Sequence, residues 1–279
     1  MDVRRKSLWV LVALTVGSVC AQAQWLNHPT PGTPRTKDGK ADLKAPAPRA
    51  ANGKPDLSGI WQAAPSPIAE LRAFLPPDDG PPIPGEPAPS KYFLNVLADF
   101  KPENSPMTPA AASLFKQRFD SFGKDNPSTS CLPLGVPLMD YAVFPHKIVQ
   151  TADVVVIMYE ALTMFRQIYT DGRKLPVDPE PAFAGYSVGK WEGDSLVVEA
   201  AGFRDGGWLD AFGHPHSGAM RVTERFRRLN FGTMEVQVTI DDPKSYVRPF
   251  TIKFNAELYP DTDLLESFCE NEKDRAHLK

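Results

Sequence analysis

From about residue 144 onward, apolar and polar side chains alternate with a period of two, and short turns interrupt the pattern. That period belongs to extended chain, because successive side chains of a strand point to opposite faces. Candidate strands fall at 146–151, 154–162, 164–170, 184–191, 195–202, 219–229, 233–241, 247–258 and 264–270, preceded by a short one at 56–62. The segments between them carry turn chemistry: Asp171-Gly172-Arg173, Glu192-Gly193-Asp194, Asn230-Phe231-Gly232 and Asp261-Thr262-Asp263. Strands at hairpin spacing predict an antiparallel meander, and a meander of this length hides its edges by curling into a barrel. The expected fold is mainly β: an antiparallel up-and-down barrel with one packed helix and a Pro-rich N-terminal arm.

Proline separates that meander from what precedes it. Eighteen of the 29 prolines lie between Pro29 and Pro109. Residues 24–55, poor in apolar side chains, read as a flexible Pro-rich leader. Residues 56–279 read as a single β-barrel domain: 56–143 supply a strand, a Pro-rich wrap and a helix, and 144–279 supply the meander. The helix is signalled by Thr108 as N-cap, Pro109 at the first helical position and Gly123 as terminator. Ala112, Leu114, Phe115, Phe119 and Phe122 are expected to form its packed face. No internal repeat stands out.

The first residues have the layout of an export signal. Arg4-Arg5-Lys6 is a basic start, Leu8 to Val19 an apolar run too short to span a bilayer, and Ala21-Gln22-Ala23 a small-x-small cleavage site. Cleavage after Ala23 predicts a periplasmic or secreted protein, with a lipid-modified Cys20 as the alternative. No later stretch reaches transmembrane length. The signal carries Arg4, Arg5 and Lys6 against Asp2, a net +2, so a chain of −3 leaves a mature protein of −5. An acidic protein without a basic cluster argues against nucleic acid as a partner. Cys131 and Cys269 remain, and outside the cytoplasm an even pair predicts a disulfide; two buried thiols are the other reading.

Alternation also sorts the faces of the strands. Glu224 shares a face with Met220, Val222 and Phe226, and Arg166 shares one with Met164 and Ile168. A carboxylate on an apolar face needs a partner, so Arg166 is expected to meet Glu224 or Glu160, either to fix the core or to face a ligand. The longest connection within the meander, Trp208–Ser217, follows Gly206-Gly207 and holds Asp210, His214 and His216. Long loops on a rigid sheet are common seats of function. His214, His216, Glu224, Asp210 and Arg166 are therefore the candidate catalytic set. A neutral imidazole oriented by a carboxylate moves a proton, while Tyr159, Tyr169 or Arg166 steadies developing negative charge.

Such a set suits cofactor-free lyase, isomerase or hydrolase chemistry on a small organic substrate. A non-catalytic carrier or sensor is the alternative, with Trp61, Tyr159, Tyr169, Trp208 and Phe212 against an apolar or aromatic ligand. The pair His214-Pro215-His216 followed by Glu224 resembles the cupin metal pattern, with a longer final gap, and Asp210 or His146 would complete that set. The preferred reading assigns no metal ligands. A Pro-rich arm that wraps a protein partner is a further possibility, and oligomeric state is open. Nucleophile-elbow, phosphate-loop, dinucleotide and His-Glu-x-x-His signatures are absent.

Two resemblances extend this reading. Phe165-Arg166-Gln167-Ile168, Gly185-Tyr186-Ser187-Val188-Gly189, Trp191-Glu192-Gly193-Asp194, His214-Pro215-His216-Ser217 and Val222-Thr223-Glu224-Arg225-Phe226 resemble segments of a family of secreted, largely uncharacterised soil-bacterial proteins. That resemblance implies export and no particular reaction. Gly59-Ile60-Trp61 resembles the Gly-x-Trp opening of lipocalins, which implies a calycin-like barrel whose tryptophan plugs the closed end. The present chain departs from that family in placing some 80 residues between this motif and the next strand.

Overall fold

The computed structural model describes residues 29–74, 88–267 and 269, so the predicted signal segment and its cleavage site lie outside the described residues. Nine strands close into a barrel: β1 (Gly59–Ala63), β2 (His146–Gln150), β3 (Val154–Tyr159), β4 (Phe165–Tyr169), β5 (Tyr186–Glu192), β6 (Ser195–Ala201), β7 (Arg221–Arg228), β8 (Thr233–Asp241) and β9 (Phe250–Leu258). The short β1 completes the ring by pairing Trp61 with both His146 and Leu258. Closure leaves no unpaired sheet edge, which is the reason a meander of this length curls.

One seam departs from the expected antiparallel pattern. β4 and β5 run parallel, through Ile168↔Ser187 and Tyr169↔Val188. The connection 170–185 contains Pro176, Pro179 and Pro181, which cannot donate to a ladder. It leaves β4 at the Asp171-Gly172-Arg173 turn and comes back to pair with the same strand in the same direction. Of the predicted strand at 264–270, the described residues 264–267 run without regular structure.

The three long strands β7, β8 and β9 bury alternate residues. Val222, Glu224, Phe226 and Arg228 of β7, Met234, Val236, Val238 and Ile240 of β8, and Phe250, Ile252, Phe254, Ala256 and Leu258 of β9 point inward. The tight hairpins 151–153, 193–194 and 229–232 lie at the lower end, and the connections 64–145, 160–164, 202–220 and 242–249 lie at the upper end. Trp61 fills the lower end. Its Nε1 donates to the Leu57 carbonyl at 2.9 Å, and the Arg228 guanidinium lies 4.9 Å from its ring centre.

Residues 29–55, read from their proline content as a flexible leader, are docked and contain a tandem repeat that the sequence reading missed. Pro34-Arg35-x-x-Asp38-Gly39-Lys40-x-Asp42-Leu43 recurs as Pro48-Arg49-x-x-Asn52-Gly53-Lys54-x-Asp56-Leu57. The two copies fold alike: Thr36 N donates to Lys40 O and Ala50 N to Lys54 O, while Asp42 N donates to Pro34 O and Asp56 N to Pro48 O. Each arginine then ties its copy to the barrel, Arg35 to Asp261 and Arg49 to Asp194. Leu43 sits so close to the β7–β8 turn that a Cβ on Gly232 would come within 2.5 Å of it.

Among the described residues three α-helices decorate the barrel: α1 (Ile68–Leu71), α2 (Lys91–Leu94) and α3 (Pro109–Asp120). Thr108 caps α3 as expected, accepting from Ala111 N. The predicted packed face is only partly used. Ala111 and Arg118 are buried, Phe115 stacks on His214, and Phe119 and Phe122 stand 51% and 98% exposed. The helix turns Arg118 inward because three loop carbonyls await its donors. A disulfide joins Cys131 to Cys269, with Cα atoms 5.4 Å apart, and fastens the chain beyond β9 to the segment beyond α3. No helix among the described residues is long and apolar enough to cross a membrane.

Candidate functional site

Two polar clusters occupy the upper half of the molecule. One is the loop between β6 and β7. Asp210 is fully buried and accepts from the backbone N–H groups of Val96, Phe212, Gly213 and His214, as well as from His214 Nδ1 at 2.5 Å. One carboxylate thus satisfies a whole turn and sets the imidazole. The His214 ring lies stacked on Phe115, with centroids 4.0 Å apart. Arg118 donates to the carbonyls of Gly206, Gly207 and Gly213 and covers Trp208.

His216 turns elsewhere. Its Nδ1 is 3.2 Å from the Ser217 carbonyl, and burial lowers its pKa. Gly207 must be glycine here, since a Cβ would approach His216 Nε2 to 1.9 Å. Ser217 donates through N and Oγ to Asp242, and these bonds hold the Asp242 carboxyl below its usual range despite partial burial. Tyr246 Oη donates to Pro215 O. Each of the two histidines thus has its Nδ1 engaged within the loop, His214 on Asp210 and His216 at Ser217 O.

The second cluster lies inside the barrel. Arg166 from β4 reaches across to Glu224 of β7 with both Nη atoms, the longer contact being 3.0 Å, and donates from Nε to Ser187 Oγ at 3.0 Å. Arg166 and Glu224 are 2% and 0% exposed. Burial pulls the Arg166 pKa down, but the Glu224 charge outweighs it and the guanidinium is held above its ordinary value. Of the two partners left open by the sequence, Glu224 is the one used; Glu160 instead accepts from Leu265 N.

Three further residues join this interior cluster: Tyr159, expected against a ligand; His146, named only as a possible metal ligand; and Asp140, which the sequence pattern does not single out. Asp140 comes from the irregular segment 134–144, which plugs the upper end and is anchored by Tyr141 Oη donating to Leu209 O at 2.6 Å. Tyr159 Oη donates to Asp140 Oδ1 at 2.6 Å, and Asp140 Oδ2 stands 3.6 Å from Arg166 Nη1. Burial, reinforced by the Glu224 charge, pushes the Asp140 pKa well above the carboxylate range. One guanidinium facing two carboxyls leaves one of them neutral. His146, at the head of β2, packs beside Tyr159 with ring centroids 5.7 Å apart, and burial lowers its pKa to about 4. Among the described residues, Asp140 Oδ2 and His146 Nδ1 are the buried side-chain polar atoms without a hydrogen-bond partner.

The candidate catalytic set is therefore split. His214 and Asp210 form one unit, Arg166 and Glu224 another, and His216 a third. The predicted ligand-facing aromatics are split as well. Trp61 fills the lower end, Trp208 lies under Arg118, and Phe212 meets Phe119 edge-on. Tyr169 is on the outer wall, stacked on Tyr186 beneath Arg173. Tyr159 alone among them joins the interior cluster. The cupin-like pattern does not converge: among the described residues no three His, Cys, Asp or Glu side chains come together as a cation site.

Two clefts flank the barrel. The upper one, of about 350 Å³, is lined by Leu134, Leu138, Phe144, Ala161, Leu162 and Phe93, with Ala211 from the histidine loop and Ser267 and Cys269 from the chain end. The lower one, of about 570 Å³, is a seam between the leader at Pro29–Thr33 and the barrel at Ile60, Ile148 and Tyr259. Comparison with protein-family models, with curated proteins and with solved structures returned no match to this chain.

Proposed function

We propose that this chain is an exported barrel that binds a small, uncharged, largely apolar molecule in its upper cleft. The observation that carries this reading is the cleft itself. Its volume of about 350 Å³ falls within the roughly 300–1,000 Å³ typical of small-ligand sites, and its walls are mostly aliphatic and aromatic. It lies at the end where the long connections meet, whereas the lower groove is a seam closed by the leader. The charged groups beneath it pair with one another, so a charged ligand finds no free counter-ion there. Export accords with the Cys131–Cys269 disulfide. The likeness to lipocalins belongs to this proposal and rests on Trp61 at the lower end.

A second reading, acid/base chemistry of isomerase, lyase or hydrolase type, is favoured by one specific observation. Asp140, whose carboxyl is pushed upward by burial and the Glu224 charge, and His146, whose imidazole is pushed downward by burial, flank Tyr159, each two residues along the chain from a cleft-lining side chain. The binding reading is tested with N-phenyl-1-naphthylamine, an uncharged dye that brightens in apolar surroundings. Wild type is expected to bind it saturably, and Ala211→Trp, which fills the cleft from its rim, to weaken binding at least tenfold. Equal binding by the filled variant contradicts the assignment.

A further inference from the structure

We propose that Asp140, His146 and Tyr159 form a proton-transfer site for an uncharged carbonyl compound, with Asp140 as acid and His146 as base. The proposal rests on the binding reading above and deepens it.

Asp140 Oδ2 and His146 Nδ1 are both buried without a hydrogen-bond partner among the described residues. Buried polar groups without hydrogen bonds are rare and costly, and here both belong to one cluster. Asp140 Oδ1 already accepts from Tyr159, so a proton on this carboxyl sits on Oδ2. Oδ2 also stands 3.6 Å from Arg166 Nη1, beyond hydrogen-bond distance, and on this proposal its O–H turns to a ligand oxygen. His146 Nδ1 is a second free position, on the strand directly beside Tyr159. A site with one donor and one basic nitrogen matches a carbonyl oxygen flanked by a C–H that is acidified by it.

Charge supports the same ligand class. Arg166 is committed to Glu224, with Ser187 on its Nε, and a neutral Asp140 leaves the cluster without net charge. Neither an anion nor a cation is complemented. Leu138, Phe144 and Ala161 line the cleft, and each lies two residues along the chain from Asp140, His146 and Tyr159 respectively, which do not line it themselves. A ligand in the cleft must therefore displace these side chains before it meets the cluster.

The step is balanced without a cofactor. His146 Nδ1 takes the proton from the carbon beside the carbonyl, the C–H electron pair becomes the C=C bond, and the C=O pair moves to oxygen. That oxygen takes the Asp140 proton, giving the enol. His146 then gives its proton to the same carbon or to a conjugated one, the C=O bond re-forms and the enol O–H proton returns to Asp140, which restores the protein and completes an exchange or an isomerisation. Environments that push an acid upward and a base downward are how one fold keeps both roles at neutral pH.

The test follows deuterium uptake by acetophenone and cyclohexanone in D2O, by proton NMR, with saturation transfer reporting whether each ketone binds. Wild type is expected to accelerate exchange of the α-protons of a ketone that it binds. Asp140→Asn and His146→Gln are expected to lose about 10²–10⁴-fold of that acceleration while still binding N-phenyl-1-naphthylamine. Binding without exchange by wild type overturns the proton-transfer site and leaves the binding reading intact. Dye binding with neither ketone bound overturns the ligand class, and absence of both dye and ketone binding overturns the binding reading with it. Full exchange in both variants assigns the chemistry elsewhere.

Discussion

His146 is the residue whose ionisation the fold perturbs most simply, since burial alone holds its pKa near 4. The unfolded chain returns it to about 6.5. The neutral form stabilises the fold above that value, and the contribution is lost as pH falls from 6.5 toward 4. At about 1.4 kcal/mol per unit, the full effect is about 3 kcal/mol. Urea melts of wild type and His146→Gln between pH 7 and pH 4 should show the wild type losing that much more stability. Parallel losses in both proteins contradict the buried neutral imidazole. Asp140 acts with the opposite sign: its raised pKa gives stability that is present in acid and is lost as pH rises through the folded value.

Arg166 and Glu224 make a second test at the same scale. Removing one member of a buried pair strands the other charge, so Arg166→Met is expected to cost about 3–5 kcal/mol in urea unfolding. The double change Arg166→Met, Glu224→Leu should recover most of it, because hydrophobic replacement of the whole pair avoids the stranded charge. A double variant no better than the single one argues against a direct pair. This pair was legible in the sequence, since alternation alone turned both side chains inward. Asp140 was not, since it ends a single 3-10 turn in a segment with no period to read, and His146, at the first residue of a strand, was named only as a possible metal ligand. The conspicuous pair, His214 and His216, attracted the functional reading, and Nδ1 of each is engaged by a neighbour in the same loop.

At the scale of elements, strands and turns were readable because a strand with one buried face writes its period into the sequence. The parallel β4–β5 seam was not, since a turn signal at Asp171-Gly172-Arg173 predicts a hairpin unless the prolines that follow are weighed. Helix α3 was placed by its cap, but its buried face was chosen by Arg118 and its carbonyl partners rather than by apolar residues. Phe122→Ser should therefore change stability by less than about 0.5 kcal/mol, as for other exposed positions. A larger loss in thermal melts points to a contact for that face.

The chain beyond β9 is the element whose removal should matter most to the cleft. Ser267 and Cys269 form part of its wall, held there by the disulfide and by Leu265 N on Glu160. Replacing both cysteines by serine is expected to lower stability by about 2–4 kcal/mol and to speed dye release. Stopped-flow release with an unchanged rate would show that the wall stays in place without the bond.

Taken whole, the molecule is a filled barrel rather than an open cup. Trp61 and Arg228 occupy its lower end, the Arg166–Glu224 pair spans its middle, and the 134–144 segment plugs its top. The interior therefore gives its volume to side chains, and the space for a ligand moves to the upper rim. Composition and alternation foretold a barrel but not its filling, which depends on segments that have no period. The central claim is that the upper cleft is the binding surface. Its most direct test is a titration of isotope-labelled protein with N-phenyl-1-naphthylamine, followed by amide chemical shifts. Shifts centred on Leu138, Phe144, Ala161, Leu162 and Ala211 are the predicted result; shifts centred on Ile60, Lys147 and Tyr259 at the lower seam, or none at saturating dye, contradict it.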